Sequence, residues 1–338
     1  MDVSTKELPK ALTNILFAGL VPYIKSSPGL GKSSIVKQVA DSLNLQLIDV
    51  RLSQMDSSDL IGVPFIQDGK TRFVPPEIFP VEGDVIPAGK DGWLVFMDEL
   101  SSASNSVQAA SYKFMLDRMV GQYKLHSNVA IVAAGNRDTD KAIVNRMSTA
   151  MQSRLIHLNL VVEPKEWIDW ANENRVDPRI TSFVGYRPGL LHSFDPSHKN
   201  DTYPCPRTWA FADQIIKPVK EIDLLITKIL AGTVGEGAAR EFKGYCDVFE
   251  SIPTISAIKS NPLGINVKST PDVLYALTGM IAHNVDKDNL TQLMQFTNRI
   301  PLEFQIITWV AAVKRNKEIY SLPQIKEWIS KNAKHVIF

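Results

Sequence analysis

The stretch Ser26-Ser27-Pro28-Gly29-Leu30-Gly31-Lys32-Ser33-Ser34 decides how this chain is read. A β-branched and aromatic run, Val21 to Ile24, precedes it, and an amphipathic run, Ile35 to Leu43, follows. Strand, glycine-rich loop and helix in that order build a phosphate cradle. Loop amides and the start of the helix turn partial positive charge towards an anion. Residues Ser27, Pro28, Gly29, Leu30, Gly31, Lys32, Ser33 and Ser34 are the expected contacts. Within them Lys32 brings a mobile full charge, and the Ser33 hydroxyl suits Mg²⁺, which prefers oxygen. Ser26 stands where the loop pattern begins with glycine, so its backbone is expected to keep φ negative.

Further along, Trp93 to Met97 is a continuous apolar run, as expected of a parallel strand buried on both faces. It ends in Asp98-Glu99, and two carboxylates at a buried strand's end are costly unless they meet a cation. Open α/β sheets bind ligands at that end of their strands. Asp98 is therefore expected to hold Mg²⁺ and Glu99 to polarise the attacking water. A second buried strand, Val129 to Ala134, leads to Asn136, placed to hold that water or the terminal phosphate. Gln46 to Leu52 and Leu155 to Leu158 complete a mostly parallel, five-stranded sheet over residues 1–160.

Other segments around this sheet have their own signals. Pro9 to Leu20 reads as a helix, as do Ser104 to Met119 and Lys141 to Met147. Asp56 to Ile61 starts a short helix, and Val63 to Ile66 and Thr71 to Val74 flank Asp68-Gly69 as a hairpin. This unit, about residues 56–80, pushes a loop outward. After residue 160 the composition turns helical, with starts at Pro164, Pro178, Pro206, Glu236 and Pro271 among others.

Bulk numbers bound the rest. A chain of 338 residues is long enough for two or three domains. Net charge of +1 gives no strong field towards nucleic acid or membrane. Two cysteines make no disulfide framework, and no apolar run is long enough to span a bilayer. A soluble, cytoplasmic protein is expected. The six histidines lack metal spacing. The tail from Lys314 to Lys334 holds six Lys or Arg and reads as a solvated helix face.

Taken in order, Gly31-Lys32-Ser33, Asp98-Glu99, Asn136, Arg154 and Pro206-Arg207 resemble the motifs of AAA+ ATPases. The interrupted helix and hairpin starting at Asp59-Leu60-Ile61-Gly62 is similar to the helix-2 insert of the MoxR-like branch. The resemblance implies an AAA+ P-loop NTPase core at 1–160, an all-α lid at 161–250 and a helical extension of the lid at 251–338. It implies ATP and Mg²⁺ as cofactors, and hydrolysis of ATP. By position, Lys32 and Ser33 match Walker A, Asp98 and Glu99 Walker B, and Asn136 sensor 1. Arg154 matches the arginine finger, with Arg146 as its rival, and Arg207 matches sensor 2. The family forms rings, usually hexamers, and its MoxR-like members often work with a client protein or a von Willebrand A domain partner. A nucleic-acid-stimulated loader or motor is the alternative; the near-neutral charge disfavours it.

Overall fold

The computed structural model describes residues 2–137, 145, 147–197 and 200–332. Contacts divide the chain into two compact units, 1–162 with 195–197, and the remainder.

The first unit is built on one sheet. Its strands are β1 (Asp2–Val3), β2 (Pro22–Lys25), β3 (Leu45–Arg51), β6 (Gly92–Asp98), β9 (Val129–Gly135) and β10 (Ile156–Leu160). Their order is β1-β10-β2-β9-β6-β3, and every neighbouring pair is parallel. Six strands, not five, make the sheet. The extra one, β1, is two residues long and pairs with β10 at the edge, too short to leave a period in the sequence.

Alternation along the central strands explains why their sequence is apolar throughout. Trp93, Val95 and Met97 of β6 enter one core with Ile131 and Ala133 of β9. Leu94 and Phe96 enter the opposite core with Val132 and Ala134. Helices α1 (Leu8–Phe17) and α2 (Lys32–Ser42) cover this second face through Leu8, Leu12, Val36 and Val39. On the first face α3 (Ser57–Ile61) and α4 (Asn105–Tyr112) contribute Leu60 and Val107.

The insert forms as read. Asp56 and Asp59 close a capping box on α3, the Asp56 amide donating to Asp59 Oδ2 at 2.8 Å. Strands β4 (Val63–Gln67) and β5 (Lys70–Val74) then pair antiparallel through Asp68-Gly69. Val63, Ile66 and Val74 stay exposed on this hairpin.

Ser104 to Met119 is not one helix. After α4 the chain takes a π turn over Lys113–Asp117, and Arg118 at φ 54° reverses it. A small hairpin follows, β7 (Met119–Val120) with β8 (Tyr123–Lys124). Arg118 is held there by donating to the carbonyls of Val129 and His126, contacts to residues just past the small hairpin that the helical period does not encode. A short α5 (Thr149–Gln152) leads into β10. The helix expected over Lys141 to Met147 falls mostly outside the described residues.

The second unit is helical among its described residues. It comprises α6 (Pro164–Glu173), α7 (Pro178–Tyr186), α8 (Pro206–Ile216), α9 (Leu224–Val234), α10 (Glu236–Ser251), α11 (Ile255–Ser260), α12 (Pro271–Asn284), α13 (Leu290–Thr297), α14 (Leu302–Arg315), α15 (Glu318–Ser321) and α16 (Pro323–Asn332). An aromatic core joins α7, α8 and α10: Phe183 meets Trp209, Phe242 and Tyr245 at centroid distances of 5.3–5.6 Å. The basic tail is not a solvated face where it begins. Lys314 pairs with Asp169 of α6 at 2.8 Å, and Arg315 is buried, donating to Asn172 Oδ1 at 3.1 Å and to His283 Nδ1 at 2.9 Å.

Candidate nucleotide site

Strand order places the motifs side by side. β2, β9 and β6 are adjacent and parallel, so the loop after β2, Asn136 after β9 and the acidic pair closing β6 all leave the same edge of the sheet. Register ties them closely: Lys25 lies opposite Gly135, and Met97 opposite Ala133.

The loop turns with Gly29 at φ 82° and Gly31 at φ 85°, backbone that L side chains rarely adopt. Gly31 is the N-cap of α2, so that helix aims its positive end at the space the loop encloses. Ser26 is absent from the positive-φ residues, as its side chain requires. It is wholly buried, and its amide donates to the Gly135 carbonyl at 3.3 Å. Lys32 is buried as well and donates from Nζ to Ser26 Oγ at 2.9 Å and to the Ser26 carbonyl at 3.3 Å.

The two expected Mg²⁺ ligands meet. Ser33 Oγ donates to Asp98 Oδ2 at 3.5 Å, across 65 residues of sequence. A hydroxyl beside a carboxylate is the hard-oxygen pair that Mg²⁺ uses together with phosphate oxygens and water. Asp49, on β3 next to β6, adds a second carboxyl. Loss of surrounding water and the charge of Asp98 push its pKa up, with Arg51 opposing.

Glu99 follows Asp98 at φ 59°, a left-handed conformation held by its amide donating to Asp98 Oδ1 at 2.8 Å. Its carboxylate accepts from the Ser53 hydroxyl. The Asn136 amide donates to Ser101 Oγ at 3.0 Å. Gly135 is needed immediately before it, because a Cβ there would lie 2.7 Å from Ser101 Oγ and nearer still to the Tyr23 hydroxyl.

Arg154 is exposed; it donates to the Tyr112 hydroxyl and to the Ala150 carbonyl at 3.2 Å, with its guanidinium 5.5 Å over the Tyr112 ring. Arg146 lies outside the described residues. Arg207 is exposed in the first turn of α8, in the second unit. Ser53, Ser101, Gly135, Tyr23 and Asp49 belong to no motif in the sequence. Only strand pairing brings them to the site, and the β3–β6 register, with Arg51 opposite Asp98, is what aligns Ser53 with Glu99.

Residues 23–155 match the model of the ATPase family associated with various cellular activities (AAA). That span contains Ser26–Ser34, Asp98, Glu99, Asn136 and Arg154, but not Arg207. Over 85 residues the chain is 32% identical to Midasin of Giardia intestinalis, which is 25% of this chain and 2% of that much longer protein. A RuvB mutant of Thermotoga maritima aligns over 87% of this chain and 86% of its own, at 14% identity and a TM-score of 0.40. A candidate ATPase from Cytophaga hutchinsonii aligns over 98% and 88%, at 14% identity and a TM-score of 0.36. The α/β unit is an AAA+ P-loop fold, followed by a helical region. No helix among the described residues is long and apolar enough to cross a membrane.

Proposed function

We propose that this chain is a Mg²⁺-dependent ATPase of the MoxR-like kind, which assembles into a ring and uses ATP turnover to remodel or assemble a partner protein. The observation that carries the reading is the Ser33–Asp98 contact with Glu99 next in the chain. It supports the reading because a hydroxyl and a carboxylate that suit a hard cation lie together, with the Glu99 carboxylate next in the chain.

Phosphoryl transfer asks for positioning and charge neutralisation more than for covalent chemistry. In this reading Ser33 and Asp98 would hold Mg²⁺, which would supply positive charge to the phosphate oxygens. Lys32 binds the terminal phosphates, Glu99 accepts a proton from the attacking water, and Asn136 orients it. Arg154 serves a neighbouring subunit, where an arginine finger is worth roughly 10³–10⁵ in rate. Its exposed position supports this, since a finger in trans must reach out of its own subunit. Arg207 would read the state of the γ-phosphate from the helical unit. The insert hairpin, with Val63, Ile66 and Val74 exposed, is the surface we assign to the client.

Steady-state phosphate release, combined with native mass spectrometry in a slowly hydrolysed ATP analogue, tests the proposal. Turnover that rises with assembly into a closed ring is expected. A protein that neither binds nor cleaves ATP refutes it. Stimulation by single-stranded DNA above ~10-fold would favour a nucleic-acid motor instead.

A further inference from the structure

Arg154 stands between two buried residues of one core. Met151, in the short helix before it, and Leu155, next after it, both belong to the cluster on the first face of the sheet. The Arg154 amide donates to the Met151 carbonyl at 3.1 Å. Packing therefore fixes its backbone, while the residue itself stays exposed. Tyr112 comes to the same place from α4, of which it is the last residue, and it packs partly buried against that same cluster. The two side chains meet across 42 residues of sequence, Arg154 Nη1 donating to the Tyr112 hydroxyl. The same nitrogen donates to the Ala150 carbonyl at 3.2 Å, and the guanidinium carbon lies 5.5 Å from the centre of the tyrosine's aromatic ring. A guanidinium is planar, so two contacts on one nitrogen and an aromatic face beside it set the direction of the whole fork. An exposed arginine without such contacts spreads over many rotamers and has to be ordered when it is used.

We infer that Tyr112 is a positioning residue that holds Arg154 ready for the neighbouring subunit's nucleotide, so that turnover at one site depends on a tyrosine of the next subunit. The inference rests on the ring proposed above and on Arg154 as its finger. Tyr112 acts only through Arg154. The finger's charge is worth most where negative charge develops in the transition state, so a poorly aimed finger costs rate and leaves ATP binding in place.

Mixing subunits tests this. Lys32→Ala subunits keep the finger and lose their own site, whereas Arg154→Ala subunits keep the site and lose the finger. Phosphate release from the mixture then comes from sites of the second kind served by fingers of the first. Tyr112→Phe keeps the aromatic ring and removes only the hydroxyl, and it is introduced into one partner at a time. In the Lys32→Ala subunit it should lower kcat of the mixture about tenfold, with KM for ATP within about twofold. In the Arg154→Ala subunit, where no finger is left to aim, it should change neither. Equal losses in both arms, no loss in the first, or a gain there overturns the positioning role alone. A mixture that recovers no activity before Tyr112 is changed overturns the finger acting between subunits, and the role of Tyr112 with it.

Discussion

Gly135→Ala is the substitution that best tests how the sheet positions the site. The added Cβ would sit 2.7 Å from Ser101 Oγ, against an ordinary contact of at least 3.4 Å, so about 0.7 Å must be found there. The Tyr23 hydroxyl is nearer still. Neither neighbour can easily retreat. Tyr23 is 2% exposed and packed edge-on against His157, and Ser101 is 4% exposed. The strain therefore passes to the end of β9, and so to the Asn136 amide that Ser101 holds. Overpacking of this kind costs about 1–3 kcal/mol, well within the roughly 5–15 kcal/mol of a typical domain, so the variant should fold. A displacement near 1 Å at a positioning group costs up to about 10² in rate, so turnover should fall ~10- to 100-fold. Phosphate release at saturating Mg²⁺-ATP, beside a thermal melt followed by circular dichroism, measures both effects. Turnover within about twofold of wild type in a folded variant refutes the reasoning, because the step would then not depend on where Asn136 lies.

Other perturbations separate the roles of neighbouring residues. Glu99→Gln should keep ATP binding and lose turnover by about 10²–10⁴, the usual worth of a general base; persisting turnover would remove Glu99 from that role. Lys32→Ala and Arg154→Ala should each be inactive alone, and a mixture of the two should recover part of the phosphate release through shared interfaces. A mixture as inactive as its parts would count against a finger acting between subunits. In the helical unit, burial first and then the Arg315 charge hold the His283 pKa below its ordinary 6.5, with Lys217 acting in the same direction and Asp177 opposing. The unfolded chain therefore binds a proton that the folded chain refuses, and stability falls as pH drops through 6.5, levelling off below the depressed folded value. Urea midpoints compared at about pH 8 and about pH 5 should show this slope, and His283→Gln should flatten it.

Much of the site is legible in local sequence because its chemistry is local. The loop from Ser26 to Ser34 needs glycines at particular positions, and Gly29 and Gly31 take the positive φ those positions demand. The apolar run ending in Asp98-Glu99 says both that the strand is buried and that charge emerges at its end. The insert hairpin is similar: Asp68-Gly69 between alternating strands is a signal carried by neighbours in the chain. Ser104 to Met119 shows the opposite case. Its helical period is real up to Tyr112, but the reversal at Arg118 is held by carbonyls of Val129 and His126, so the pattern misleads where partners beyond a helical turn decide.

By itself, then, the sequence determined that a phosphate loop, an acidic strand end and a polar residue after another strand exist, since each is a property of a few consecutive residues. Tertiary structure alone decided that they converge. The order β1-β10-β2-β9-β6-β3 makes β2, β9 and β6 neighbours, and only that order puts Ser33 on Asp98, Ser53 on Glu99 and Ser101 under Asn136. Strand order is set by which crossovers bury the most apolar surface on both faces of the sheet, a sum over the whole unit that no single stretch records.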